Sequence, residues 1–266
     1  MLKLKDKVIW ITGASSGIGE ALVIYALEQG ACVVMSARNH AKLETLKNTH
    51  DKLGKAMILP IDISTVTDGS QFVNEVIKHF GKIDILVNNA GIGQKSFVLD
   101  TKWEIEKQVL DTNFTGLIRL SNAVAHQMKK SGGGNIAVIT SIMGKFGMPM
   151  YAAYSASKHA LYGYFDAWRG ELKQHNIRIS IICPGFINTN VSYNSLLADG
   201  SFMNKNSPAQ EKGMPASKAA EKILKAIVKN ERHVFVGGLE LLSVPFRNLA
   251  PGLFYWLLDR MQKKNV

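Results

Sequence analysis

Tyr154 and Lys158 stand four residues apart in Tyr154-Ser155-Ala156-Ser157-Lys158, a spacing that sets both on one face of a helix. A tyrosine hydroxyl titrates near pH ~10 and is a poor acid or base at neutrality. A fixed positive charge close by favours the phenolate and lowers that value, giving a proton donor and acceptor able to work near neutral pH. The same spacing also fits a plain helix face with one snorkelling lysine. The surrounding sequence has to decide between the two.

A second constellation lies at the other end of the chain. Thr12-Gly13-Ala14-Ser15-Ser16-Gly17-Ile18-Gly19 follows the first apolar run and opens a helix. Its glycines permit a tight turn and let a pyrophosphate approach the backbone, while the helix start offers unpaired N–H groups and a favourable dipole. The spacing is Gly-x-x-x-Gly-x-Gly. A glycine turn can be a mere connection, but its place at the first strand-to-helix junction favours phosphate binding.

These groups need a frame. Short apolar runs at Lys7–Thr12, Ala31–Ala37, Lys55–Ile61, Ile83–Asn88, Asn135–Thr140, Ile177–Cys183 and His233–Val236 read as seven strands. Helical patterns separate them: Gly17–Gly30, His40–Leu53, Thr65–Phe80, Trp103–Lys129, Met150–His175 and Ala216–Asn230. Nearly continuous apolar strands alternating with helices predict a single α/β domain, a doubly wound parallel seven-stranded sheet of Rossmann type. The polar stretch Asn190–Pro215 breaks the rhythm and reads as a lid within a catalytic domain spanning 1–244.

A chain of 266 residues with 46% hydrophobic content is long enough for one large core. Cys32 and Cys183 lie in apolar stretches and read as buried thiols of a reducing, cytoplasmic compartment, with neither disulfide framework nor metal spacing. The charged start Met1–Lys7 does not resemble a secretory signal, and no apolar run approaches the ~18 residues of a membrane span. The net charge is +11, and residues 201–266 hold 11 Lys/Arg against 5 Asp/Glu. Such basicity suits anionic cofactors or an acidic membrane surface; without a nucleic-acid motif, nucleic acid is not expected as a partner.

Taken together, the segments resemble a short-chain dehydrogenase/reductase over Lys7–Val236. The residues that carry the resemblance are Thr12–Gly19, Asn88-Asn89-Ala90-Gly91, Asn113, Ser141, Tyr154-x-x-x-Lys158, and Pro184-Gly185 followed by Thr189. Each is weak alone, but their order and spacing, with Ser141 thirteen residues before Tyr154, are specific. The resemblance implies that Ser141 hydrogen-bonds the substrate oxygen and that Tyr154 passes it a proton. It implies that Lys158 lowers the tyrosine pKa and holds the nicotinamide ribose, and that Asn113 holds a water linking the lysine to solvent. A helix-bending Asn113 and a turn Ser141 remain the plain alternatives.

The same resemblance implies a dinucleotide site built from Gly13, Ser15, Ser16, Gly17, Ile18 and Gly19 at the phosphates, and from Asn89, Ala90 and Gly91 at the adenosine ribose. Asp62 and Ile63 would meet the adenine, with an Asx turn as the alternative for Asp62. Pro184, Gly185, Ile187 and Thr189 would hold the nicotinamide end, Thr189 and the Ile187 backbone taking its carboxamide. Ala37 stands where NAD-binding members carry an acid, and Arg38-Asn39 follows. A guanidinium suits a 2′-phosphate, so NADP(H) is the expected cofactor.

Met143, Phe146, Met148, Met150 and Phe202 would make an apolar, adaptable wall, Met143 and Met148 contacting a lipophilic carbonyl or alcohol substrate. The segment 245–266 extends past the ordinary family core as an apolar, aromatic stretch with a basic end, similar to tails in the 11β-hydroxysteroid-dehydrogenase-like subgroup. It would pack on its own domain, a dimer mate or a membrane surface. Relatives assemble as homodimers or homotetramers through the two long helices. A non-catalytic dinucleotide sensor or peripheral membrane scaffold is the rival reading, and the intact proton-relay set argues against it. An extended-branch sugar epimerase fits poorly, because no substantial C-terminal substrate domain follows.

Overall fold

The structure is a computed structural model, and it describes residues 3–262. The seven strands are β1 Val8–Thr12, β2 Cys32–Ser36, β3 Ala56–Ile58, β4 Ile85–Asn88, β5 Gly134–Ile139, β6 Ile177–Pro184 and β7 His233–Val236. They form one parallel sheet in the order β3-β2-β1-β4-β5-β6-β7. Strand order reverses between β1 and β4, and the crevice beyond the carboxyl ends of the strands at that point is where sheets of this kind bind ligands.

The sheet is buried on both sides, as its continuous apolar strands require. Alternation along β1 sorts the core into two layers. Trp10 joins Val34, Leu86, Val138 and Ile181 on one face, whereas Ile9 and Ile11 join Val33, Met35, Val87 and Ile182 on the other. Helices α3 Ser70–Phe80, α5 Gly116–Lys130 and α6 Ala152–Leu172 cover the first face through Val73, Leu120 and Phe165. Helices α1 Gly17–Glu28, α2 His40–His50 and α8 Ala216–Val228 cover the second through Leu22, Leu43 and Ile223. Each such side chain taken out of water contributes about 1.5–3 kcal/mol. The one polar atom of Trp10 is satisfied, since its Nε1–H donates to Ser36 Oγ at 2.9 Å.

Three expected elements differ in ways that bear on the site. The helix expected over Trp103–Lys129 is interrupted: α4 Trp103–Leu110 runs into a π-helical segment, Asp111–Thr115, before α5. A Cβ at Gly116 would lie 1.8 Å from the Ile63 carbonyl oxygen, so the backbones touch there. The helix expected from Thr65 begins at Ser70, after a 3₁₀ turn at Ile63–Thr65 and a local cap in which Asp68 accepts from Ser70 N at 2.9 Å and Ser70 Oγ at 2.7 Å. Met150 adopts φ +68, so α6 starts two residues later than expected.

The segment 190–215, expected from the sequence as a lid, holds the short helix α7 Pro208–Glu211 and is rooted by a two-residue parallel pairing of Ile187–Asn188 with Met214–Pro215. Beyond β7, α9 Ser243–Leu249 and α10 Pro251–Gln262 fold back onto the domain. Phe254 is buried and meets Phe146 and Phe246 edge-on, with ring centroids 4.9 and 5.8 Å away. Leu249, Leu253, Trp256 and Leu257 face outward. No helix among the described residues is long and apolar enough to cross a membrane. The basic end of the tail, Lys263 and Lys264, lies outside the described residues.

Candidate active site

A cleft of about 460 Å³ opens at the carboxyl ends of β1, β2, β4, β5 and β6. Its floor is the glycine turn that follows β1. Gly13 and Gly17 take φ +65 and +59, values that L side chains rarely adopt. Thr12 locks the turn to the end of β4: its Oγ1 accepts from Asn89 N and Ala90 N, both at 3.0 Å. Asn89 Nδ2 returns bonds to the Thr12 and Gly13 carbonyls at 3.0 and 3.2 Å. Ser16 caps α1 with extended backbone and makes no side-chain cap bond, so the first N–H groups of the helix are left for a ligand. An anionic diphosphate fits this cradle. Gly19 does not line the cleft; a Cβ there would sit 2.1 Å from Gly13 O, and its role is to let the helix pass under the turn.

At the end of β2 the cleft is lined by Ala37, Arg38, Asn39 and Lys42. Arg38 and Lys42 are exposed, and neither meets a carboxylate among the described residues. Asn39 has a local duty, because Oδ1 caps α2 by accepting from Lys42 N at 3.0 Å. Asp62 does too: its Oδ1 accepts from Ser64 N at 3.0 Å and Ser64 Oγ at 2.7 Å, the Asx-type turn that the sequence left open. Asp62 and Ile63 still border the cleft, as do Ala90, Gly91, Pro184, Gly185, Ile187 and Thr189.

Ser141, Tyr154 and Lys158 come together at the far wall. Ser141 follows β5 and is 9% exposed; its Oγ accepts from Met143 N at 3.2 Å, which leaves its own proton for Tyr154 or a substrate oxygen. Lys158 is 4% exposed, and its Nζ donates to the Ile139 carbonyl at 3.0 Å and lies 5.7 Å from the Tyr154 ring centre. Burial lowers the lysine to about 8. Tyr154 is half-buried by surface, yet its hydroxyl lies deep among protein atoms. Desolvation pushes the phenol above its ordinary value and outweighs the opposing hydrogen bond to Ser141. The depression expected from Lys158 is therefore not seen here: loss of water around the hydroxyl dominates, and the ammonium is itself weakened by burial.

Asn113 does not border the cleft. It sits fully buried in the π segment, with Oδ1 accepting from Ile92 N at 2.8 Å and Nδ2 donating to Ile92 O at 2.9 Å and Ser157 Oγ at 3.1 Å. Ser157 Oγ in turn donates to the Tyr154 carbonyl at 2.8 Å. One amide thus ties the loop after β4 to the helix that carries Tyr154 and Lys158. The Cβ position of Gly91 is 3.2 Å from Asn113 Oδ1 and 3.5 Å from Lys158 Nζ, so both polar atoms border the same gap.

The apolar wall is only partly as expected. Met143 and Phe202 line the cleft, joined by Ile142, Tyr151, Phe186 and Val191. Met148, expected at the substrate, packs against the core instead, and Phe146 is buried under Phe254 of the tail. Met150 does not line the cleft either. Sequence reasoning also missed Gln210, which reaches in from α7, and Glu240. Glu240 Oε1 accepts from Phe186 N at 2.9 Å and Gly238 N at 2.8 Å, holding the loop after β6. A lone lid glutamine and a glutamate beyond β7 carried no spacing signal. Among the described residues no cluster of His, Cys, Asp or Glu could hold a metal ion.

The family model for the short chain dehydrogenase matches residues 7–198. The chain is 35% identical over 268 residues to the Dehydrogenase/reductase SDR family protein 7-like of Drosophila melanogaster, covering 98% of this chain and 82% of that one. It is 32% identical over 271 residues to the human Dehydrogenase/reductase SDR family member 7, covering 99% and 80%. A short chain dehydrogenase/reductase from Burkholderia phymatum, solved in complex with NAD, superposes with a TM-score of 0.84 over 95% of this chain and 96% of that chain, at 22% identity. That likeness concerns the fold.

Proposed function

The chain belongs to the short-chain dehydrogenase/reductase family of oxidoreductases, and from that premise we propose that it moves hydride between NADP(H) and a lipophilic carbonyl or secondary alcohol. The observation that carries this reading is the convergence of Ser141, Tyr154 and Lys158 on the cleft whose floor is the glycine turn. When bound there, the nicotinamide supplies the hydride or accepts it. Ser141 would hold the substrate oxygen through its hydroxyl proton. Tyr154 would deliver a proton to that oxygen as negative charge gathers on it. A phenol raised by burial keeps its proton at neutral pH, and an alkoxide-like oxygen is a far stronger base. Lys158 would bind the ribose hydroxyls with its remaining N–H groups, and the gap between Asn113 and Lys158 is where a water would refill the phenol's proton.

Several observations support the finer parts of the reading. Ala37 offers no carboxylate to a ribose diol, while Arg38 and Lys42 suit a 2′-phosphate. Phe202, Val191, Met143 and Tyr151 suit an apolar substrate. Exposed Trp103 on α4 fits assembly as a homodimer or homotetramer through the α4–α5 and α6 faces. The outward Leu253, Trp256 and Leu257 of α10 fit peripheral contact of 245–266 with a membrane. Free Cys32 and Cys183 suit the cytoplasm.

Arg38 provides the test of cofactor choice. Losing a charge-assisted contact to phosphate costs about 1.5–3 kcal/mol. Arg38→Ala should therefore weaken NADPH binding by roughly 10- to 100-fold and leave NADH binding unchanged, as read by fluorescence titration of both nucleotides. Parallel weakening of the two would overturn the assignment of NADP(H).

A further inference from the structure

The carboxamide end of the cleft already holds a carboxamide, and it belongs to the lid. Gln210 on α7 is 8% exposed, although a glutamine on so short a surface helix would ordinarily face water. Its Nε2 donates to the Ile187 carbonyl and, at 3.1 Å, to Thr189 Oγ1. The Ile187 backbone and Thr189 are the groups read above as the seat of the nicotinamide carboxamide. A primary amide offering N–H to those two oxygens is the contact that the ligand itself would make.

The lid is built to hold this position. Ser207 caps α7, its Oγ accepting from Gln210 N at 3.2 Å. Asn188 Nδ2 donates to the Glu211 carbonyl at 2.8 Å, and Met214 N donates to the Phe186 carbonyl at 2.9 Å. The segment that carries the plug is therefore fastened to the same loop that carries the acceptors. The phosphate and 2′-phosphate positions of the cleft, at Gly13, Ser16 and Arg38, make no hydrogen bond with α7 among the described residues.

We propose that Gln210 is an internal surrogate for the nicotinamide carboxamide, closing that subsite until a dinucleotide displaces it. The proposal rests on the dinucleotide reading and adds a gate to it. A site that is open only part of the time binds with an affinity reduced by the open fraction, so freeing it tightens binding. The penalty falls only on ligands that carry the nicotinamide half.

The test uses the full chain and three probes: NADPH, NADP⁺ and adenosine 2′,5′-bisphosphate. Removing two hydrogen bonds of ordinary strength should make Gln210→Ala and Gln210→Met bind NADPH and NADP⁺ roughly tenfold tighter than the wild type. Binding of the bisphosphate should not change. Equal or weaker dinucleotide binding in both variants, with bisphosphate binding intact, would overturn the gate and leave the dinucleotide reading standing. Failure of the wild type to bind any of the three probes would remove both. Stopped-flow traces of the wild type give a check that does not depend on a variant folding. The observed rate for NADPH should level off at the opening rate as concentration rises, while that for the bisphosphate should keep climbing; two linear plots would contradict the gate.

Discussion

Tyr154→Phe removes one oxygen atom and should lower turnover by about 10²–10⁴-fold, the usual contribution of a positioned proton donor. NADPH affinity should stay close to that of the wild type. The ring remains to fill its place in the wall, Lys158 keeps its bond to the Ile139 carbonyl, and the glycine turn is untouched. Ser141 retains its hydroxyl proton and would still hold the substrate oxygen, so KM should move much less than kcat. Steady-state kinetics beside a fluorescence titration of NADPH separate the two effects. A variant that turns over as fast as the wild type would take the proton donor out of the mechanism.

Lys158→Met should give the opposite sign in two assays. The lysine is buried, and its folded-state value of about 8 lies below the ordinary 10.5. Between those values the unfolded chain binds the proton more readily than the folded one, so wild-type stability rises with pH across the window from about 8 to 10.5. At pH 7 the whole penalty of burying the charge is present, on the order of 3 kcal/mol. Methionine fills similar space without the charge, and Lys158→Met should melt on the order of 5–10 °C higher at pH 7. That advantage should shrink toward pH 10. Turnover should collapse, because the proposed hold on the ribose and the proposed proton supply of Tyr154 both run through the Lys158 N–H groups. Thermal melts of both proteins at pH 7 and pH 10 check the first claim, and an unchanged or lower melting temperature at pH 7 would contradict it. A buried charge retained against stability is what a functional lysine looks like.

The frame of the molecule was legible because its strands are apolar without interruption. Val8-Ile9-Trp10-Ile11-Thr12 can be satisfied only between two covering layers, and that dictates a parallel sheet with helices on both faces. The glycine turn and the Tyr154–Lys158 pair were legible because their chemistry depends on local spacing. What escaped the sequence depends on contacts between distant segments. The π segment at Asn113 accompanies the touch of Gly116 on Ile63, 53 residues earlier in the chain. Asp62 reads equally well as an adenine contact or a turn, and only the bonds to Ser64 show the turn. Phe146 and Met148 looked like substrate wall because nothing in their spacing tells that α10 lays Phe254 over Phe146. Gln210 gave no signal at all, since a lid glutamine becomes meaningful only once Ile187 and Thr189 are seen to face it.

The pKa of Tyr154 carries the sharpest lesson. Spacing alone put a cation beside a phenol and so implied an acidic tyrosine. The three-dimensional arrangement adds the desolvation that spacing cannot express, and the sign reverses. The consequence is a tyrosine that holds its proton more firmly than spacing alone implied.

Deuterium transfer tests the central claim most directly. NADPH deuterated at the transferable position of C4 would be incubated with the protein and a panel of lipophilic aldehydes and ketones, and the products weighed by mass spectrometry. Hydride transfer in this cleft predicts one deuterium on the carbinol carbon of at least one product, with a hydroxyl hydrogen drawn from solvent. Tight binding of NADPH with no deuterium on any carbonyl carbon would contradict it, and would leave a dinucleotide-binding protein that does no redox chemistry on this class of compound.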